Sequence, residues 1–155
     1  MRRHPTPFAI LAGGAIAGAL DIAFAITFAV LRGGTAMRLL QTIASGLLGA
    51  AAYDGGWPTA ALGFVLHFAM ALLIAAIFCL ASRRLPVLTR RAPAAGMLYG
   101  FGVFLAMRLV VLPLSAYPHP VTFAPLASAL DLGSHMFFVG LPIALAARAA
   151  GKPAG

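Results

Sequence analysis

Residues 57–81, WPTAALGFVLHFAMALLIAAIFCLA, decide what kind of protein this is. Apart from Thr59 and His67 the run is apolar throughout, and Arg83 and Arg84 follow it directly. A helix needs about 20 predominantly apolar residues to cross a hydrocarbon layer of roughly 30 Å, so this stretch reads as a membrane span. Three further stretches meet the same requirement: Pro7 to Leu31, Ala94 to Ser115, and about Pro125 to Ala147.

The composition agrees. The chain of 155 residues is 62% hydrophobic and 9% charged, with a mean hydropathy of +0.99, against roughly 25% charged residues in a soluble domain. Long Ala, Leu, Ile and Phe runs lack the two-residue alternation of a membrane barrel, so the spans are helices. The expected fold is an all-α, integral membrane four-helix bundle forming one transmembrane domain over residues 1–155. The formal charge of +8 sits in short clusters between apolar runs. Orientation of the spans accounts for it, and nucleic-acid binding is set aside. The single cysteine, Cys79, rules out a disulfide or a CxxC redox centre within one chain and reads as a small apolar packing residue.

The first span has a rival reading as a secretory signal, with Arg2 and Arg3 ahead of the apolar run and Ala23-Phe24-Ala25 as a small-residue cleavage site. Asp21 interrupts the run, which then continues through FAITFAVL. That is longer than a signal core of about 7–15 residues, so an uncleaved span is the expectation. Arg83, Arg84, Arg90 and Arg91 crowd the link between the second and third spans, and Arg2, Arg3, Arg148 and Lys152 flank the termini. The opposite side carries only Arg32 and Arg38 in its first loop and no Lys or Arg in SAYPHPVTFAPL. By the positive-inside rule both termini are cytoplasmic, in a bacterial inner membrane.

Between the first two spans, about residues 35–52, Leu40, Ile43 and Leu47 share one face while Arg38, Gln41, Thr42 and Ser45 lie elsewhere. This predicts an additional amphipathic helix lying at the interface. A fifth span there would throw the Arg83 to Arg91 cluster outside, against the charge rule. Tyr53 and Trp57 mark the outer interface, and Asp54 with Pro58 reads as the start of the second span.

Ionisable groups inside the spans carry the functional signal, because a titratable side chain in hydrocarbon is costly and needs a partner. At about 1.5 Å per residue, Asp21, His67 and His135 lie roughly 12–15 Å below the outer end of their spans, with Arg108 and Asp131 shallower. Every span thus places an ionisable group in the outer half of the bilayer. Helical phase puts Asp21 on a stripe with Gly14 and Gly18, His67 with Gly63, Arg108 with Gly96 and Gly100, and Asp131 with His135. These small-residue faces also imply oligomerisation. Spaced four apart, Asp131 can fix the tautomer of His135, or both can hold one ion. With Asp21 and His67 they make a set of two histidines and two carboxylates suited to a divalent transition metal or a proton relay. Arg108 opposes a cation and suits pairing with one aspartate.

Each residue also has a plainer reading. Asp131 can cap the fourth span, Arg108 can reach outward to water, and His67 can bond a neighbouring backbone carbonyl. A further alternative is a single b-type haem ligated by two histidines, with Gly63 and Gly100 leaving room for the ring. His119, in AYPHPV, is an outer-mouth candidate for a metal. No GxSxG, Walker loop or HExxH occurs, so enzymatic activity is not expected.

Read in order, these features resemble the small bacterial inner-membrane proteins of the YagU type. They comprise a Gly/Ala-rich first span with a mid-span ionisable residue, an extracytoplasmic insertion and a His-bearing second span. A Tyr99-Gly100 segment then leads to Val111-Leu112-Pro113-Leu114-Ser115, followed by a Pro-rich loop and the Asp131-xxx-His135 start of the last span. Arg108 departs from that pattern. The biochemical function of that family is unknown, so the resemblance implies topology. The functional expectation is a small membrane protein that binds or passes a cation or protons through Asp21, His67, Asp131 and His135, in the lipid bilayer and as a homo-oligomer or part of a larger complex. The competing class is a structural or accessory subunit of a membrane complex, its polar layer fixing helix register.

Overall fold

The structure, a computed structural model, describes residues 6–151. Arg2, Arg3 and Lys152, invoked above for orientation, lie outside the described residues. The four expected spans are helices at Thr6–Leu31, Gly56–Arg84, Ala92–Leu114 and Pro125–Gly151, each long and apolar enough to cross a membrane. Among the described residues there is no strand. The fold is all-α, a four-helix bundle.

Glycines set how close the spans come. Cβ atoms at Gly14 and Gly18 of the first span would meet Leu72, Phe68 and Ala71 of the second, and one at Gly13 would meet Ala146 and Ile143 of the fourth. On the third span, Cβ atoms at Gly96 and Gly100 would strike the carbonyls of Gly140 and His135 in the fourth. In lipid, where apolar side chains gain little by leaving the solvent, such close backbone approach is the main source of attraction. The glycine stripes are therefore filled from within the chain, and a homo-oligomer would have to use other surfaces. The second and third spans are instead held apart, bridged by the Tyr99 hydroxyl donating to the Ile74 carbonyl at 2.8 Å. Cys79 is buried among Ala75, Phe78, Ala92 and Ile143, as a small apolar residue should be.

The first span ends in a turn where Gly33 takes φ 83° and the Gly34 amide donates back to the Ala29 carbonyl at 2.9 Å, a left-handed helix stop that favours glycine. Thr35 then caps the next helix, Ala36–Leu48, its hydroxyl accepting from the Arg38 amide at 3.1 Å. The predicted amphipathic helix exists, and its small and polar face is the one it buries. It buries Gln41, Ala44 and Ser45 and leaves Leu47 61% exposed. Gly63 of the second span receives the Leu40 carbonyl, and Gln41 donates to the Gly56 carbonyl at 3.2 Å. The small and polar face thus packs on the second span while leucines face outward, as suits a protein whose surroundings are lipid rather than water. A 3-10 turn, Gly49–Asp54, follows, and Gly55, not Asp54, caps the second span without a side-chain bond.

Two spans are irregular at matching places. Met107–Val111 in the third and His135–Gly140 in the fourth are π-helical, with the Leu112 amide bonded to the Met107 carbonyl and the Leu141 amide to Met136. A proline follows each, Pro113 and Pro142. A proline ring collides with the carbonyl four residues back, and widening the preceding turn by one residue removes the collision without breaking the span.

Candidate functional site in the membrane

The π turns carry the polar groups: Arg108 lies in the first and His135 begins the second. Five side chains join across three spans. Arg108 pairs with Asp131, Nη2 to Oδ2 at 2.9 Å and Nε to Oδ2 at 3.1 Å, while its Nη1 donates to the Thr122 carbonyl at 2.8 Å. Its guanidinium also lies 5.7 Å from the Phe104 ring centre and 5.6 Å from that of Phe123, within cation–π range. Arg108 therefore both pairs with an aspartate and reaches the loop between the third and fourth spans. Asp131 sits well inside a helix that starts at Pro125, so it is not that helix's cap. The capping alternative does not hold because the helix begins earlier than the acid.

His135 Nδ1 lies 2.8 Å from the Asp131 carbonyl and 3.2 Å from its Oδ1. Both neighbours are acceptors, so Nδ1 carries the proton and Nε2 presents a lone pair. Ser134 links this pair to the first span, its Oγ lying 3.1 Å from Asp21 Oδ1 and 3.0 Å from the Asp131 carbonyl. A serine has one proton to give. The Ser134 hydroxyl is therefore shared between the Asp21 carboxylate and the Asp131 carbonyl, and it bridges the first span to the fourth.

A cavity of about 210 Å³ adjoins this cluster, lined by Asp21, Phe24, Phe28, Arg108, Asp131 and Ser134 among others. Arg108 offsets Asp131, and among the described residues Asp21 makes no ion pair. The cavity therefore has a half-buried carboxylate on one wall and aromatic rings beside it.

The other expected site residues lie elsewhere. His67 Nε2 meets the Gly18 carbonyl of the first span at 2.9 Å, which makes Nε2 its protonated nitrogen. His119 lies in the loop between the third and fourth spans, between the rings of Tyr53 and Tyr117, at 5.8 and 5.4 Å. Among the described residues no three His, Cys, Asp or Glu side chains come together to hold a metal. The four-ligand set for a divalent transition metal is therefore not assembled, because His67 is turned to Gly18 and Asp131 is taken by Arg108. Nor do Gly63 and Gly100 leave room for a haem ring: the Leu40 and His135 carbonyls occupy those spaces. Reading the sequence missed Ser134, the residue that ties Asp21 to the other acid. Its position three residues after Asp131 was the available signal.

No protein-family model, curated protein or solved structure matches the chain.

Proposed function

We propose that the chain is a multi-pass protein of the bacterial inner membrane, with both termini cytoplasmic, that uses Asp21 and His135 to bind or pass protons or a small monovalent cation. The observation that carries this reading is the Ser134 hydroxyl bridge, which sets the Asp21 carboxylate beside the backbone of Asp131, the partner of His135, at the edge of a small cavity. A membrane carboxylate facing a small cavity, without a cationic partner of its own, is costly unless a proton or cation visits it. Orientation rests on Arg83, Arg84, Arg90 and Arg91 gathering at one end of the bundle. The likeness to the YagU type supplies topology to this reading and no chemistry. A four-span unit is small for a transporter, so a homo-oligomer or a larger membrane complex is part of the proposal.

The test is reconstitution into sealed vesicles with a trapped pH indicator and an imposed potential. Wild-type protein is expected to carry proton or monovalent-cation current. Asp21→Asn and His135→Gln are expected to abolish it, whereas His67→Leu, which loses a backbone bond only, retains it. Folded Asp21→Asn protein that conducts as wild type overturns the reading. One observation favours the structural alternative: Arg108 ties Asp131 to the Thr122 carbonyl, a lock between span and loop. In that case wild-type vesicles are silent and the same substitutions change only stability.

A further inference from the structure

A larger cavity lies away from the cluster of Asp21 and Asp131. About 840 Å³ of space lies between the second and third spans, walled by Met70, Ile74, Ile77, Phe78, Leu98 and Val103 among others. That is at the upper end of the roughly 300–1,000 Å³ typical of ligand sites. It exists because those two spans touch through the Tyr99 hydroxyl rather than side by side. Along the second span its wall runs from Met70 to Ala81, about 16 Å at helical rise, which is close to half of a roughly 30 Å hydrocarbon layer. Along the third span the wall runs further, from Ala94 to Val111, about 26 Å at helical rise, so the groove is at least one leaflet deep from its arginine end.

Its charged end is equally specific. Arg91 lines the groove, and Arg83, Arg84 and Arg90, all exposed, stand at the same end. Among the described residues none of them pairs with a carboxylate. The three acids of the chain, Asp21, Asp54 and Asp131, all lie toward the opposite end. An apolar channel at least one leaflet deep, ending in unneutralised guanidinium groups at headgroup level, matches one occupant by shape and charge. We infer that this groove binds an anionic glycerophospholipid of the leaflet at the arginine end, with an acyl chain between the second and third spans and its phosphate on Arg91.

Gly102 makes the inference testable. It lines the groove, and a Cβ placed there meets nothing within 4 Å. Gly102→Leu therefore fills the channel without displacing a neighbour. The experiment is native mass spectrometry of the detergent-solubilised protein, titrated with phosphatidylglycerol or with phosphatidylcholine of the same chains. Wild type is expected to retain one phosphatidylglycerol under activation that strips phosphatidylcholine. Arg91→Gln should weaken that retention about fivefold, the size of one arginine's attraction to an anionic surface. Gly102→Leu should lose it, and Arg148→Gln, at the same end but off the groove, should leave it unchanged. Equal retention of the two lipids, equal loss in Arg91→Gln and Arg148→Gln, or unaltered binding in Gly102→Leu each overturns the inference. So does a lipid-free dimer whose copies cross-link through Leu98→Cys, which would put a second copy in the groove.

Discussion

Replacing Arg108 by methionine keeps the apolar stem and removes the charge that Asp131 faces. Two guanidinium nitrogens lie 2.9 and 3.1 Å from Asp131 Oδ2. At such a separation and an effective dielectric near 20, the attraction is about 5–6 kcal/mol before any screening. The side chains are 18% and 33% exposed, so water reclaims much of that, and desolvation of both groups opposes the rest. A net destabilisation of about 2–3 kcal/mol is expected, including the lost bond to the Thr122 carbonyl. In a chain of this size that corresponds to a fall of roughly 4–12 °C in the unfolding midpoint. The assay is equilibrium unfolding in mixed micelles followed by circular dichroism, on Arg108→Met, Asp131→Asn and the pair together. Because the cost in Arg108→Met comes from stranding a carboxylate in the bundle, adding Asp131→Asn should restore at least about 1 kcal/mol. A single variant within about 0.5 kcal/mol of wild type would refute the reasoning, and so would strict additivity of the two changes. Either result means that Arg108 is solvated and Asp131 is partnered by something else.

Two further expectations are measured in the same way or by titration. Gly100→Ala drives a methyl group into the His135 carbonyl and the Met136 backbone, which neither can yield, and should cost about 1–3 kcal/mol. Gly102→Ala, two residues on and facing open space, should be neutral or stabilising by up to about 1 kcal/mol, so equal effects at the two sites contradict the helix contact. In the loop between the third and fourth spans, burial pushes the Tyr117 hydroxyl above its ordinary value and the neighbouring Tyr53 adds to it, while Arg108 pulls it partly back. The neutral phenol is thus the form the fold prefers. Its contribution is fully present below about pH 10 and declines as the pH rises through the higher folded value. Tyrosinate absorbance should lose its late component in Tyr117→Phe; a component lost at or below the ordinary value refutes this.

The spans were legible because bilayer thickness imposes a length that any apolar run must satisfy. The second span was read as starting at Trp57 and is found from Gly56. What composition left open was which face of each helix meets protein. Leu40, Ile43 and Leu47 were read as one face of an amphipathic helix, but in lipid hydrophobicity does not say which face meets protein. Backbone proximity does, so the small residues Ala44 and Ser45 turned inward. The candidate site was legible in part for the same reason. Asp21, Asp131, His135 and Arg108 stood out as charges in hydrocarbon, and four-residue spacing correctly put His135 on Asp131. Partnership across helices was not legible. Helical phase brought His67 toward the bundle, yet the Gly18 carbonyl was as good a partner as any acid. The π turns were announced only by Pro113 and Pro142, whose effect depends on how neighbouring spans respond.

The glycine contacts bear on whether the polar layer is there to fix register. Register between the third and fourth spans is already set by backbone against backbone, Gly96 on Gly140 and Gly100 on His135. Between the first and second it is set by Gly14 and Gly18 against Leu72 and Phe68. Sliding either pair by one residue replaces a glycine with a larger side chain at the closest approach. The Asp21 and Ser134 contact adds little to a fit this constrained, and apolar residues in their place would avoid the cost of polar groups in hydrocarbon. The Gly100 contact does, however, place the His135 carbonyl, and through the π turn it aims the imidazole at Asp131. The direction of dependence runs from packing to polar cluster: the apolar contacts position the ionisable groups, and the groups are not needed to position the helices. A purely structural role therefore predicts that Asp21→Leu with Ser134→Ala lowers stability and that wild-type protein is already silent in vesicles. Proton or cation binding predicts a stable bundle that has lost its conductance, and a vesicle measurement on wild type beside that double variant separates the two.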